Sequence, residues 1–311
     1  MKAIVTGGTG LIGRALVSEL RRLDWDVDCL SRHPPAVSEA GVTYHSADLR
    51  DPASLSAGVK RNRGASALFH LAAAMPSHDA AFSDGAYIQA NTLSSLQLFQ
   101  AALECGIERV VYASGVSVIG APTQLPITEA HPVAPRSAYA ISKLGGELFA
   151  EYLRETCGLR VTSLRISSPY GPGMSQASVL PRFAIEALHG KKVTWFGSGG
   201  RSQNFVHARD VARALVQAAT SHAFGVYNIG GPESTSMQDL ARLLVELTPD
   251  TGSSAGAAGS PDPQENERWV LSLTHTREEL GYVPSVSLRD GLREYLDSLR
   301  EGHGVRRDAT P

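Results

Sequence analysis

Long apolar runs are missing from this chain. The most hydrophobic stretch, ALFHLAAAM (67–75), is far too short to cross a bilayer and carries His70, so no membrane partner is expected. The N-terminus passes from Met-Lys straight into AIVTGGTG, without the apolar core or cleavage site of a signal peptide. Cysteine is scarce. Cys29, Cys105 and Cys157 lie far apart and form no CxxC pair, which reads as free thiols in a reducing cytoplasm rather than a disulfide set. The ten histidines supply no HExxH and no Cys/His cluster, so no metal is expected. Charge of one sign is not massed anywhere: 29 basic and 31 acidic residues are dispersed to a net −2, which argues against a nucleic-acid partner. What remains is 311 residues, 42% hydrophobic, enough for one large domain or a main domain with a smaller one attached.

The first 160 residues alternate short β-branched runs with helical patterns. Strands are expected at 2–7, 26–30, 42–47, 67–72, 109–114 and 160–165, with helices such as 11–23, 91–105 and 138–157 between them. Near-continuous apolar strands separated by helices predict an α/β fold, a parallel sheet covered on both faces. After 165 the rhythm breaks, into a helix at 179–190, a strand at 192–197 and a helix at 210–219. The small, polar GSSAGAAGSPDP (252–263) reads as a flexible loop, and the tail 301–311 as a fraying end. The expected division is 1–165, with some later segments returning to it, and a substrate region 166–300.

The first strand runs into TGGTGLIG (6–13). Gly7, Gly10 and Gly13 recur every third residue, and Gly8, Gly10 and Gly13 also satisfy G-x-G-x-x-G. Such glycines permit a tight turn, backbone approach to a pyrophosphate and close packing of the next helix. The amides of Leu11 and Ile12 would face the phosphates. An acidic residue that ends the second strand holds the ribose 2′-hydroxyl of NAD; here Ser31 takes that place and Arg32 follows. A guanidinium binds a 2′-phosphate that a carboxylate would repel, so NADP(H) is preferred and NAD(H) is the alternative. Asp48 either accepts from the adenine amine or serves a turn.

SAYAISK (137–143) places Tyr139 and Lys143 four apart, on one helix face. An ammonium beside a phenol, helped by an oxidised nicotinamide, lowers the phenol pKa, so Tyr139 can exchange a proton with an alcohol or carbonyl. Lys143 can also hold ribose hydroxyls.

VTGGTGLIG (5–13), ADL (47–49), HLAA (70–73), Asn91, VVYAS (110–114), YAISK (139–143), YGPG (170–173), FVHARDVARAL (205–215), VYNIGG (226–231) and LGYVPSVSLRDGL (280–292) together resemble an extended short-chain dehydrogenase/reductase of the NAD-dependent epimerase/dehydratase type. The resemblance implies a Rossmann-type doubly wound sheet with a smaller α/β C-terminal substrate domain. It implies cofactor contacts at Leu49, Leu71, Ala72, Ala73 and Asn91, and substrate contacts near Met75. It also implies a homodimer built on helices 91–105 and 138–157, where Leu96, Phe99, Leu144 and Leu148 fit either that face or core packing.

Four departures from the resemblance concern the site. The Ser or Thr that such enzymes carry five residues before the closing glycine of YASGVSVIG falls here on Gly115. Ser114 would point the other way, and either Ser117 or the Gly115 backbone takes over. Where sugar-nucleotide members carry an Asn after the sixth strand this chain has Ser168, and where they carry a pyrophosphate-binding Arg it has Gln203, leaving Arg201 and Arg268 as candidates. Val116 and Ser117 replace the Asp-Glu pair of dehydratases. The resulting expectation is an NADP(H)-dependent oxidoreductase on a keto-sugar nucleotide or related ketone. The alternatives are an epimerase that retains NAD and a weakly catalytic NADP(H)-binding sensor.

Overall fold

The computed structural model describes residues 1–36, 38–75, 84–175 and 178–307, with side chains to 301. The first strands are β1 (Lys2–Thr6), β2 (Asp26–Ser31), β3 (Val42–Ser46), β4 (Ala67–His70), β5 (Arg109–Gly115) and β6 (Arg160–Ile166). Between them run α1 (Leu11–Arg22), α2 (Pro52–Arg61), the short α3 (Asp84–Tyr87), α4 (Ser94–Glu104) and α5 (Ala138–Cys157). The later elements are β7 (Ser168–Tyr170), α6 (Val179–Leu188), β8 (Lys192–Trp195), β9 (Ser202–His207), α7 (Ala208–Thr220), β10 (Gly225–Ile229), β11 (Ser234–Ser236), α8 (Met237–Glu246), β12 (Ser254–Ala257), α9 (Thr274–Leu280) and α10 (Leu288–Arg307).

The main sheet has seven strands in the order β10-β6-β5-β4-β1-β2-β3, all parallel. Side chains alternate across it. Ala3 and Val5 join Leu16 and Leu20 of α1 and Val211 and Leu215 of α7 in one core. Ile4 joins Leu55 of α2, Leu98 and Phe99 of α4 and Leu153 of α5 in another. That is the doubly wound arrangement the apolar strands predict. A separate core of Tyr170, Phe183, Trp195, Leu240 and Tyr295 builds the smaller lobe, which carries a three-stranded sheet β11-β9-β7 and the parallel pair β12-β8. The chain re-enters the first unit after this lobe begins: α7 covers the main sheet, and β10 adds its edge strand beside β6.

Local chemistry sets the element ends. Ser137 caps α5 by accepting from the Ala140 amide, and Gly158 ends it in the left-handed region (φ +70°). Asp51 caps α2 ahead of Pro52.

Two expectations need correction. Residues 252–263 are not simply a loop: Ser254–Ala257 is a strand in register with β8, where the small Gly256 lets Lys192 lie against it. The predicted helix 91–105 is irregular, because α3 passes into a π-helical stretch, Ile88–Leu93, before α4.

Candidate active site

The glycine turn is built as its spacing requires. Gly7 has φ +74°, and a Cβ there would sit 2.8 Å from the Ala72 amide nitrogen. A Cβ on Gly13 would fall 2.1 Å from the Gly7 carbonyl, so only glycine lets α1 seat on the turn. Gly10 is different: a Cβ there would meet nothing closer than Gly7 O at 3.4 Å, which leaves its outer side free for a ligand. α1 has no side-chain cap, so its first-turn amides, those of Leu11 and Ile12 among them, suit a pyrophosphate. Arg14, one turn into α1, ties the loop to the second lobe by donating to Thr9 O (2.7 Å) and Gly173 O (3.1 Å).

At the end of β2, Ser31 is buried with its hydroxyl 3.1 Å from Thr9 Oγ1. Arg32 is exposed and forms no ion pair within 4 Å among the described residues, though its charge adds to the lowering of Asp48. Asp48 accepts from the Arg50 guanidinium (2.7 and 3.1 Å) and backbone amide (2.9 Å), which hold its carboxyl down at about 2. This is the turn role, and it leaves any adenine contact to compete with Arg50. Leu49 packs against the α2–α4 core.

Across the turn, Leu71 and Ala72 donate to Thr6 O (3.3 Å) and Thr6 Oγ1 (3.1 Å), which lays 71–73 beside Gly7. Asn91 sits in the π-helical stretch, buried, and clamps Ala74 through both amide atoms (2.7 and 3.1 Å) while donating to Ser142 Oγ at 2.9 Å. Such stretches recur at functional sites. A hydrogen-bonded chain reaches it from the first strand. Ser95 gives its proton to Asn91 O (2.5 Å), so it accepts from His70 Nε2 (3.0 Å), and Thr6 donates to His70 Nδ1 (2.8 Å). Burial holds His70 down to about 3 and hence neutral, with the Lys143 charge adding to the effect.

Tyr139 and Lys143 occupy the first turns of α5. The glycines of KLGGE make this possible: a Cβ on Gly145 would strike Thr92, and one on Gly146 would strike Tyr112. Lys143 is 2% exposed, its Nζ lies 4.3 Å from the Tyr112 ring centroid, and its backbone carbonyl accepts from Tyr112 Oη at 3.2 Å. Burial pushes Lys143 down to about 7, against a raising pull from Glu147. The lowering of Tyr139 expected from Lys143 is not found. Burial alone acts on the phenol and pushes it up to about 12. The physical reason is that the lysine is itself desolvated and sits over the Tyr112 ring.

The Lys143 shift has a consequence for stability. The unfolded chain keeps the lysine protonated up to about pH 10.5, whereas the folded chain releases the proton near 7. Below pH 7 the native state therefore carries the whole burial cost, which fades between pH 7 and about 10.5. Lys143→Met is expected to stabilise the fold most at and below pH 7, by at most about 5 kcal/mol, and to converge with the parent in alkali. Melting curves across that range check it.

Beyond the tyrosine, β5 ends at Gly115 and a 3₁₀ turn, Val116–Ile119, follows. Ser114 faces away, as expected from alternation, and donates to Glu147 Oε1 at 2.5 Å. Arg165 grips the same carboxylate (2.8–3.2 Å) and also donates to Glu129 O at 3.1 Å, with Arg165 and Glu147 both buried. Ser117 Oγ is buried and finds no partner among the described residues.

The substrate-side candidates separate. Ser168 and Gln203 meet each other through a side-chain hydrogen bond. Arg201 is engaged by Asp262 (2.9 Å) and Gln264 (3.1 Å), so its charge is already answered within the chain. Arg268 donates to the Glu265 and Glu267 carbonyls (2.7 and 3.1 Å) and has no carboxylate partner among the described residues. Met75 is exposed, and residues 76–83 after it lie outside the described residues. The buried Glu147–Arg165 pair and the His70 chain were not singled out in the sequence; Glu147, four past Lys143 on the same helix face, was the visible signal.

Comparison with known proteins agrees with this geometry. The sequence model of the NAD-dependent epimerase/dehydratase family matches residues 3–230. A dTDP-glucose 4,6-dehydratase of an Actinoplanes species is 29% identical over 94% of this chain and 96% of its own length. A UDP-glucose 4-epimerase of Mycolicibacterium smegmatis is 29% identical over 96% and 99%. The solved structure of a Thermus thermophilus UDP-glucose 4-epimerase in complex with NAD superposes with a TM-score of 0.84 at 28% identity, covering 96% of this chain and 99% of that one.

Proposed function

The chain belongs to the NAD-dependent epimerase/dehydratase family and is an NAD(P)-dependent enzyme; from that premise we propose that it uses NADP(H) to interconvert a carbonyl and an alcohol, on a keto-sugar nucleotide or a related ketone. A nicotinamide dinucleotide supplies the hydride chemistry when bound. The Gly7–Gly13 turn and the uncapped start of α1 fit its pyrophosphate. Tyr139, whose pKa burial pushes up, is a phenol at neutral pH and in that form can donate a proton to a carbonyl oxygen.

The observation that carries the NADP(H) preference is Arg32, exposed and in no close ion pair among the described residues, beside a β2 end that offers Ser31 instead of an acid. Arg268, similarly without a carboxylate, is the cation for a substrate pyrophosphate, and Ser168 with Gln203 form a polar pair for the substrate. A homodimer is supported by the apolar side chains left exposed along the π-helical stretch, α4 and α5: Leu93, Leu103, Ile141, Leu148 and Tyr152. Of the four residues first considered for that face, only Leu148 is open. Phe99 is fully buried, and Leu96 and Leu144 pack against interior clusters.

A second reading, an epimerase that retains NAD, is favoured by the relatives' names and by the NAD in the related complex. One experiment separates the two. The purified protein is denatured and any released dinucleotide identified by mass spectrometry. NADPH and NADH affinities are then compared for the parent and Arg32→Ala. The first reading expects little bound cofactor and NADPH bound about 10–100-fold more tightly than NADH, a difference that Arg32→Ala removes. Near-stoichiometric NAD⁺ overturns it in favour of the epimerase.

A further inference from the structure

We propose that the Ser117 hydroxyl binds the substrate oxygen on which Tyr139 acts, in space that Gly115 leaves open. This assignment rests on the functional reading above and names a residue for it.

The argument starts from an unmet hydrogen bond. Ser117 Oγ is buried and has neither donor nor acceptor among the described residues. A buried hydroxyl without a partner is costly, and a ligand oxygen is the partner that relieves it. The hydroxyl stands at the carboxyl end of β5, and in a doubly wound sheet ligands bind outside those ends. Its turn is held firmly. Val118 and Ile119 are buried with Ile127, and Leu144, from the helix that carries Tyr139, packs on them. Ala134 donates to Val118 O (3.1 Å), and Gly120 donates to Ser117 O (3.2 Å).

Gly115 supplies the second half. Its backbone is extended (φ −145°, ψ 150°), so no strain demands a glycine there. A Cβ at 115 would lie 3.5 Å from Ser117 Oγ and 3.8 Å from Ile166 O, with nothing closer. What the glycine leaves is room for one methyl-sized group in contact with the unpartnered hydroxyl. The neighbouring serine is not available, because Ser114 is spent on Glu147. In the reductive direction the carbonyl carbon accepts hydride as NADPH is oxidised to NADP⁺, and the oxygen takes the Tyr139 proton, which solvent later returns. The Ser117 O–H donates to that oxygen while charge develops on it.

The test uses the full chain, NADPH and UDP- and dTDP-linked 4-keto sugars, with Ser117→Ala, Gly115→Ser, the double variant and Tyr139→Phe. Ser117→Ala is expected to melt no lower than the parent, to lose about 10²–10³-fold in kcat and to change KM little. Adding Gly115→Ser should recover at least about tenfold of the loss, since it returns a hydroxyl to the same space. A lowered melting temperature in Ser117→Ala, or unchanged turnover while Tyr139→Phe is dead, overturns the assignment alone. A parent that turns over none of these ketones overturns the functional reading, and the assignment falls with it.

Discussion

Tyr139→Phe is expected to lower kcat by about 10²–10⁴-fold while NADPH still binds and the fold survives. The phenol is pushed up to about 12 by burial, so the proton it would donate is present throughout the neutral range. Removing the hydroxyl leaves the ring, which keeps its edge contact with Tyr87 (6.4 Å between centroids). A fall in turnover with an unchanged melting curve and unchanged NADPH titration is the expected pattern. An unchanged rate would remove the tyrosine from the chemistry.

The largest effect on stability is expected from Arg165→Met. Arg165 and Glu147 are 5% and 6% exposed, and the guanidinium meets the carboxylate through both Nε and Nη2. Its loss leaves the buried Glu147 carboxylate with the Ser114 hydroxyl as its side-chain hydrogen-bond donor and with the weaker pull of the Lys143 charge. Breaking a buried pair on one side costs about 3–5 kcal/mol, mostly the cost of the charge left behind. The network reaches further: Glu129, whose carbonyl accepts from Arg165, receives the Asn228 amide (2.9 Å) and the Thr276 hydroxyl (3.1 Å) on its carboxylate. Urea unfolding should show the loss, and Arg165→Met with Glu147→Leu should regain most of it. A single variant as stable as the parent would show that the pair contributes nothing net.

The first unit was legible in the sequence because its signals are local. Gly7, Gly10 and Gly13 read directly as a turn, and the uninterrupted apolar strands read as a doubly covered sheet. Tyr139 and Lys143 could be placed because four residues make one helical turn. What escaped depends on partners far along the chain. Arg201 looked available until Asp262, 61 residues on, was seen to hold it. The strand at 254–257 is made by pairing with 192–195, not by its own composition of small residues. The surroundings of Lys143 come partly from distant strands, with Tyr112 of β5 and His70 of β4 joining Glu147 of its own helix, and burial of the Tyr139 phenol itself raises its pKa.

The return of the chain through α7 and β10 bears on modularity. A fragment cut after β6 would lose α7, which shares one face of the sheet with α1, together with the outermost strand β10. Val5 and Leu16 would then face water, and β6 would become a bare edge open to aggregation. The two lobes are thus one interleaved folding problem. Grafting the substrate lobe of a relative onto this cofactor-binding frame would require splicing on both sides of 208–229, not a single fusion point.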